Sequence, residues 1–212
     1  MHFQANIEAP AMKIDTVDAL RELYGFVSGR AARKQLAALE VHSKNFIAHS
    51  PFLTLSTVDS IGNVDVSPRG GAPGFVVILN DTCFCIPDAK GNKRLDSMEN
   101  IIQTGRVGTL FMIPGVDETL RVNGSAHIST DPALLGRFTA ERSVPQSCLV
   151  IEVEEVFLHC AKAFMRSRLW APEGRIERKT FPTMSRMIND QLSSTEQEES
   201  QEDMVARYQH DL

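Results

Sequence analysis

The sequence lacks most of the features that indicate a function directly. Its 212 residues include four cysteines, two tyrosines and one tryptophan, and the cysteines show no metal-ligand spacing. No stretch approaches the roughly 20 apolar residues of a membrane span. The N-terminus also lacks a basic start followed by an apolar run, which argues against a secretion signal. We therefore expect a cytoplasmic protein without a membrane span. Its thiols are expected to be reduced and buried, namely Cys83, Cys85, Cys148 and Cys160.

An excess of basic residues is also missing. The net charge is −5, with acidic residues concentrated near the C-terminus, so we expect no general binding of nucleic acid. No Ser–His–Asp arrangement or metal-ligand cluster is visible, which leaves the catalytic residues unassigned and predicts no metal site. The composition, 42% hydrophobic and 23% charged, fits one sizeable globular domain with appendages.

Hairpin signals dominate the middle of the chain. Six or seven apolar runs of strand length alternate with turn residues, and the residues from Thr119 to Ser129 alternate cleanly between apolar and polar. We predict a mainly β fold with accessory helices, in which an antiparallel sheet closes into a barrel and so removes its edges. The run Val107–Ile113 is nearly continuous, which is typical of a strand buried on both sides.

Helical patterns flank this β region. Thr16 is a good cap for a short helix that stops near Gly25, and a longer helix is predicted from Ser28 to His49. We therefore divide the chain into an N-terminal helical extension (1–50), a barrel domain (51–171) and a polar, acidic C-terminal tail (172–212). The acidic part of the tail is expected to be mobile or loosely helical.

Three cations lie beside glycines within the stretch from Val64 to Leu95. Arg69 precedes Gly70 and Gly71 after a strand that we expect Pro68 to end, and Lys93 and Arg94 follow Gly91 at a predicted helix start. Glycine lets a ligand approach the backbone closely, and a helix start favours negative charge. Arg and Lys both suit phosphate. The stretch predicts a phosphate pocket, and the alternative is an ordinary solvated turn.

Several motifs then occur in an order that resembles a known family. SPRG, IPD, GNKRLDSMENI, VGTLFMIPG and ETLRVNGSAHIS are similar, in this order, to the pyridoxamine 5′-phosphate oxidase-like FMN-binding split-barrel proteins. The resemblance runs from about Phe52 to Trp170. It implies a six-stranded antiparallel split β-barrel that forms a homodimer with two FMN molecules at the subunit interface. It also implies an FMN-dependent oxidoreductase acting on an unidentified small molecule.

The resemblance assigns cofactor-binding roles residue by residue. Arg69 and Lys93 correspond to phosphate ligands, with Arg94 as the adjacent candidate. The remaining positions implied to lie near FMN are Ser67, Pro68, Ile86, Pro87, Arg121, Asn123, Lys162, Arg166 and Trp170. Of these, Arg121 and Asn123 can reach across the dimer, and the last three belong to a C-terminal segment that approaches the partner's flavin.

The chain also departs from a true pyridoxamine phosphate oxidase. It ends QEDMVARYQHDL, where that enzyme has a basic substrate-binding segment, which disfavours a vitamin B6 phosphate as substrate. Two alternatives keep the barrel and change the cofactor to F420 or to haem, for which His127 or His159 would be the axial ligand. A third alternative is a flavin-binding protein without turnover.

Overall fold

A single antiparallel sheet organises the computed structural model, which describes residues 13–139 and 144–209. Its strands are β1 (Phe52–Val58), β2 (Val64–Gly70), β3 (Val77–Asn80), β4 (Cys83–Pro87), β5 (Arg106–Met112), β6 (Thr119–Ser129) and β7 (Cys148–His159). They lie in the order β2-β1-β5-β6-β7-β4-β3. The mainly antiparallel β fold with accessory helices is confirmed, and it is consistent with a split barrel. The sheet has seven strands, however, so six was wrong, and it is not closed.

The strand β2 explains how one open edge is tolerated. We expected Pro68 to end this strand, but β2 continues to Gly70 and Pro68 lies opposite Thr54 of β1. Proline cannot donate a ladder hydrogen bond, and it is accepted in sheets on edge strands, where no second neighbour needs that donor. The continuation matters for function because it places Arg69 on the sheet.

The core lies on the inner face of the sheet. Its fully buried members come from most of the strands and include Leu53, Leu55, Phe84, Ile86, Phe111, Leu120, Val122, Ile151 and Val156. The rings of Phe84 and Phe111 pack edge to face, with centroids 5.8 Å apart. The predicted alternation along β6 is confirmed, since Leu120, Val122 and Ala126 are buried. Along β5 the burial also alternates, with Leu110 and Met112 only half-buried, so the expected burial on both faces is not found within one chain.

Eight helices accompany the sheet within the described residues. They are α1 (Val17–Tyr24), α2 (Gly29–Arg33), α3 (Val41–His49), α4 (Asp96–Thr104), α5 (Pro132–Leu135), α6 (Lys162–Ser167), α7 (Met184–Leu192) and α8 (Gln201–Tyr208). Two short 3-10 turns, Pro172–Gly174 and Arg178–Thr180, lie between α6 and α7. The Thr16 cap of α1 and its end at Gly25 are confirmed. Helix α4 ends at Gly105, which is in the left-handed conformation.

The long helix predicted from Ser28 was wrong. The chain leaves helical geometry after Arg33 and resumes it at Val41. In between, the N–H of Leu36 donates to the carbonyl of Val156, and the N–H of Leu39 donates to that of Asp81. These long-range backbone bonds replace intrahelical ones, and they let Leu39 enter the core at 2% exposure.

The chain divides into two compact units between Gln35 and Leu36. The first contains α1 and α2, and the second contains the sheet, the other helices and the tail. Within the second unit, α3 contributes the fully buried Ile47 to the core. In the tail, Thr183 caps α7 and Ser200 caps α8 by accepting backbone N–H groups. The predicted domain boundaries at residues 50 and 171 stay predictions.

The cysteines differ from expectation at one position. Cys83 and Cys85 on β4 and Cys148 on the adjacent strand β7 are free and buried, whereas Cys160 is exposed. Cys160 follows the last residue of β7 and so lies beyond the packed part of the sheet. Burial raises the pKa of Cys83 to about 11 and that of Cys85 to about 12, which keeps both as unreactive thiols. None of the helices in residues 13–139 and 144–209 has the length and apolarity needed to cross a membrane.

Candidate cofactor site

A cavity of about 670 Å³ lies beside the edge strand β2. It is bounded by β2, by the end of β4 and the segment that follows, by the start of α4 and by the end of α8. The lining residues are Asp65, Ser67, Pro68, Arg69, Gly70, Phe75, Pro87, Ala89, Lys90, Gly91, Asn92, Arg94, Asp96, Ser97, Arg207 and Tyr208. Its size and mixed lining are typical of sites for small molecules.

Arg69 provides the clearest binding feature of this cavity. Its side chain is half-buried, and its Nε is fully buried without a hydrogen-bond partner among the described residues. A buried donor without an acceptor costs about 1–3 kcal/mol, so an acceptor supplied by a ligand would remove that cost. Asp88 lies near enough to interact with Arg69. Burial raises the pKa of the Asp88 carboxyl, and the Arg69 charge opposes that rise only in part.

A hydrogen-bonded network joins β2 to α4 at one wall. The hydroxyl of Ser97 donates to Oδ2 of Asp65 at 2.6 Å, and the hydroxyls of Ser67 and Ser97 lie 3.0 Å apart. Ser97 is almost fully buried. One step deeper, Nδ2 of Asn100 donates to the hydroxyl of Thr57 at 3.0 Å. These bonds fix the position of α4 against β1 and against β2, the strand that carries Arg69.

Close packing shapes the neighbouring wall. Phe75 is buried and lines the cavity. A Cβ added at Gly71 would come within 2.7 Å of the Cβ of Phe75, so this aromatic wall requires glycine at position 71. Pro87, at the end of β4, also lines the cavity. Ile86 does not, since its side chain is fully buried in the core.

The segment between β4 and α4 corrects one detail of the phosphate prediction. Residues 91–94 precede the helix, which begins at Asp96 after Leu95. Asp96 and Glu99 already place negative charge in its first turn. Arg94 lines the cavity, and its Nε donates to Oδ2 of Asp96 at 3.1 Å. Lys93 is exposed, has φ of 64° and does not line the cavity.

Two other predicted residues form a separate cluster on β6. Arg121 donates through Nη2 to Oε1 of Glu155 at 2.7 Å, and Nδ2 of Asn123 donates to the same oxygen at 3.2 Å. The Arg121 guanidinium also lies 4.2 Å from the ring centroid of Phe157. Neither Arg121 nor Asn123 lines the cavity.

The C-terminal candidates also lie outside the cavity. Lys162 and Arg166 are exposed on α6. Trp170 is half-buried, and its Nε1 donates to the carbonyl of Val116 at 2.9 Å. Its ring lies 5.5 Å from that of Phe164. Within one chain, the structure therefore brings together Ser67, Pro68, Arg69, Pro87 and Arg94, and it leaves the other candidates apart.

Several lining residues were not predicted. Asp65 lies two residues before the SPRG motif, Phe75 lies five residues after it, and Ser97 lies within GNKRLDSMENI, so their proximity to these motifs was the available signal. Arg207 and Tyr208 carried a weak signal, being a cation and an aromatic residue side by side just after the acidic stretch 191–203. Within the described ranges, no group of three or more His, Cys, Asp or Glu side chains could hold a metal ion. Of the histidines considered for haem, His127 is exposed, and the ring of His159 lies 4.9 Å from that of Phe157 at a tilt of 51°.

Comparison with known proteins adds a family match. A family model described as pyridoxamine 5′-phosphate oxidase matches residues 39–160, which is more than half of the chain. No curated protein matches.

Solved structures give weaker likenesses. HupZ of Group A Streptococcus is 20% identical with a TM-score of 0.47, over 57% of this chain and 93% of that one. A putative pyridoxamine 5′-phosphate oxidase from Lactobacillus delbrueckii is 22% identical with a TM-score of 0.45, over 58% and 98%. An FMN-binding protein from Syntrophomonas wolfei is 14% identical with a TM-score of 0.44, over 68% and 96%. Because these TM-scores are below 0.5, the family match alone assigns the chain.

Proposed function

The chain belongs to the pyridoxamine 5′-phosphate oxidase family, and from that premise we propose that it is an FMN-dependent oxidoreductase acting on a small molecule. The observation that carries the proposal is the cavity beside β2, in which Arg69 presents a buried Nε donor without a partner. The family match rests on the sequence pattern of residues 39–160, and the cavity rests on the packing of β2, β4 and α4 within that region.

The cation content of the cavity fits the phosphate of FMN. A phosphate monoester carries about −1.5 to −2 charges at neutral pH and three acceptor oxygens. Arg69 and Arg94 line the cavity, as does the Lys90 side chain. Arg94 already pairs with Asp96 at an exposed site, where an ion pair stabilises by only about 0–1 kcal/mol. Arg94 can therefore exchange this partner for a phosphate. Lys93 stays a predicted ligand that would need its loop to turn inward.

The apolar part of the lining fits the ring system. Pro68, Phe75 and Pro87 give flat, apolar surfaces near the backbone of Gly70. Such walls exclude water from a heteroaromatic ring and hold it in place. FMN, when bound, would supply the hydride or electron transfer. The role of this chain is then to bind the phosphate through Arg69, to orient the ring, and to keep water away.

We further propose that the working unit is a homodimer with flavin at the subunit interface. Arg121, Asn123 and Trp170 do not line the cavity of their own chain, so a role at FMN requires that they reach the cavity of a partner. On β5, Leu110 and Met112 are only half-buried, which supports a partner on that face. Sedimentation equilibrium tests this: a monomer at micromolar concentration would contradict the dimer.

The visible absorption spectrum of the purified protein is the direct test of the cofactor. We expect a flavin spectrum, and chromatography after heat release should show FMN in the supernatant. Mixing with each nicotinamide cofactor then tests turnover. Bound FMN that neither nicotinamide reduces would favour a carrier or sensor. A colourless protein that takes up F420 or haem instead would overturn the choice of FMN while keeping the family.

A further inference from the structure

We propose that α8 forms one wall of the flavin site and that Tyr208 is a cofactor-contacting residue on it. This inference rests on the proposed FMN function and deepens it, since it assigns a role to a segment that lies outside the matched family region, residues 39–160. The tail is thereby part of the site and not an appendage.

The lining of the cavity supports this first. Within the described residues, the lining comes from positions 65–97 and then, after a gap of more than a hundred residues, from Arg207 and Tyr208. The chain therefore folds back, so that the end of α8 faces the strand that carries Arg69. Both belong to the same compact unit, which starts at Leu36.

Hydrogen bonds within the tail fix the local geometry of α8. Ser200 caps the helix, and its hydroxyl donates to Oδ2 of Asp203 at 2.7 Å. The N–H of Glu199 donates to the hydroxyl of Ser185 in α7 at 3.0 Å. Arg207 donates to both carboxylate oxygens of Glu199, at 2.9 and 2.8 Å. A bidentate pair of this kind fixes orientation as well as distance, so the last turn of α8 has a defined geometry.

The same contacts identify Tyr208 as the functional group of this wall. Arg207 binds both oxygens of the half-buried Glu199, whereas Arg94 makes one contact with the more exposed Asp96. Arg207 is therefore less able than Arg94 to exchange its partner for a phosphate. Its guanidinium lies 4.6 Å from the ring centroid of Tyr208, which helps to set the orientation of the ring. Tyr208 remains 42% exposed and lines the cavity. A partly exposed aromatic ring at a cavity wall suits contact with another flat ring.

The chain has two tyrosines, so one can be tested and the other can serve as the control. Tyr24, in the separate N-terminal unit, is the matched control. We compare Tyr208→Ala, Tyr208→Phe and Tyr24→Ala for FMN affinity by flavin fluorescence titration of the full chain. Loss of an aromatic stacking partner should weaken binding about tenfold in Tyr208→Ala. Tyr208→Phe keeps the ring and should bind nearly as wild type, and Tyr24→Ala should be unchanged.

A second readout does not depend on affinity. The Tyr24→Phe protein labelled with fluorotyrosine has one fluorine resonance, at position 208. We expect FMN to shift this resonance. Wild-type affinity in Tyr208→Ala together with an unmoved resonance would overturn the inference and leave the proposed function standing. Tighter binding in Tyr208→Ala would show that α8 competes with FMN, and this also overturns it. If the wild-type chain binds no FMN, the proposed function fails first and the inference fails with it.

Discussion

Arg69 and Arg121 are two half-buried arginines on strands, and they differ in what surrounds them. Both have a buried Nε without a hydrogen-bond partner among the described residues. Arg121 has the carboxylate of Glu155 at 2.7 Å and the Phe157 ring at 4.2 Å, whereas Arg69 has an open cavity. An arginine whose counter-charge comes from the fold is suited to a structural role. An arginine that faces an open cavity is suited to bind a ligand.

The positions of the two strands in the sheet explain this difference. β6 lies between β5 and β7, and Arg121 is directly opposite Phe157 while Asn123 is opposite Glu155. Cross-strand neighbours of this kind contact one another through their side chains. Among the described strands, β2 lies at the edge of the sheet and pairs with β1 alone, and Arg69 lies opposite the fully buried Leu53. No carboxylate of the described part of β1 lies opposite Arg69, and Asp88 interacts with it only through its charge.

The largest effect is expected for Arg69→Ala. Removing a charge-assisted contact costs about 1.5–3 kcal/mol, so FMN affinity should fall by roughly 10- to 150-fold. The FMN-free variant should be at least as stable as wild type, because the substitution removes a buried donor that has no acceptor among the described residues. Fluorescence titration and urea denaturation measure the two quantities.

Arg69→Lys is the matched control for that experiment. Lysine keeps the charge and loses the planar fork, so FMN affinity should lie between wild type and Arg69→Ala. Wild-type flavin retention in Arg69→Ala would refute the assignment of the phosphate site.

Arg121→Ala should show the opposite pattern. Its loss leaves the half-buried Glu155 carboxylate with a weaker set of donors, and the FMN-free protein should lose about 1–2 kcal/mol of stability. Urea denaturation of the FMN-free chain measures this. If Arg121 also reaches a partner's flavin, as the resemblance implies, FMN affinity will fall as well. Arg121 would then have both a structural and a binding role, and it would differ less from Arg69.

Much of this architecture was predictable because it follows local rules. Strict alternation located β6, and the Thr16 and Gly25 signals located α1. Arg69, predicted as a phosphate ligand, lines the cavity, and its role as a ligand stays a prediction. In each case the information lies within a few residues of the position concerned.

The errors share a different cause, which is that distant segments decided the outcome. The helix predicted from Ser28 breaks because Leu36 and Leu39 bond to backbone groups of distant segments. The wall made by Arg207 and Tyr208 depends on a fold-back of the tail that no local pattern reports. Ile86 was predicted to lie near FMN together with Pro87, yet its side chain enters the core.

Lys93 offers a smaller test of how far the comparison extends. It is exposed and outside the cavity, so Lys93→Ala should weaken FMN binding by about threefold or less, as for an exposed charge. Its φ of 64° also disfavours any residue with a Cβ. Lys93→Gly should therefore stabilise the FMN-free protein slightly. A loss of FMN as large as that in Arg69→Ala would show that this loop closes on the phosphate.

Asp88→Asn carries the smallest effect, and its sign decides whether Arg69 has a counter-charge after all. Burial raises the pKa of the Asp88 carboxyl despite the nearby Arg69. A raised pKa means that ionising Asp88 costs more in the folded state than in the unfolded state. The free energy of unfolding therefore falls as pH rises from the pKa of the unfolded state, about 3.9, through the pKa of the folded state. Asp88→Asn should therefore be more stable than wild type at pH 7, with the difference vanishing below about pH 4. If the variant is instead less stable at pH 7, Asp88 serves Arg69 as Glu155 serves Arg121. Arg69 and Arg121 would then both be paired with a carboxylate, and the contrast between them would be lost.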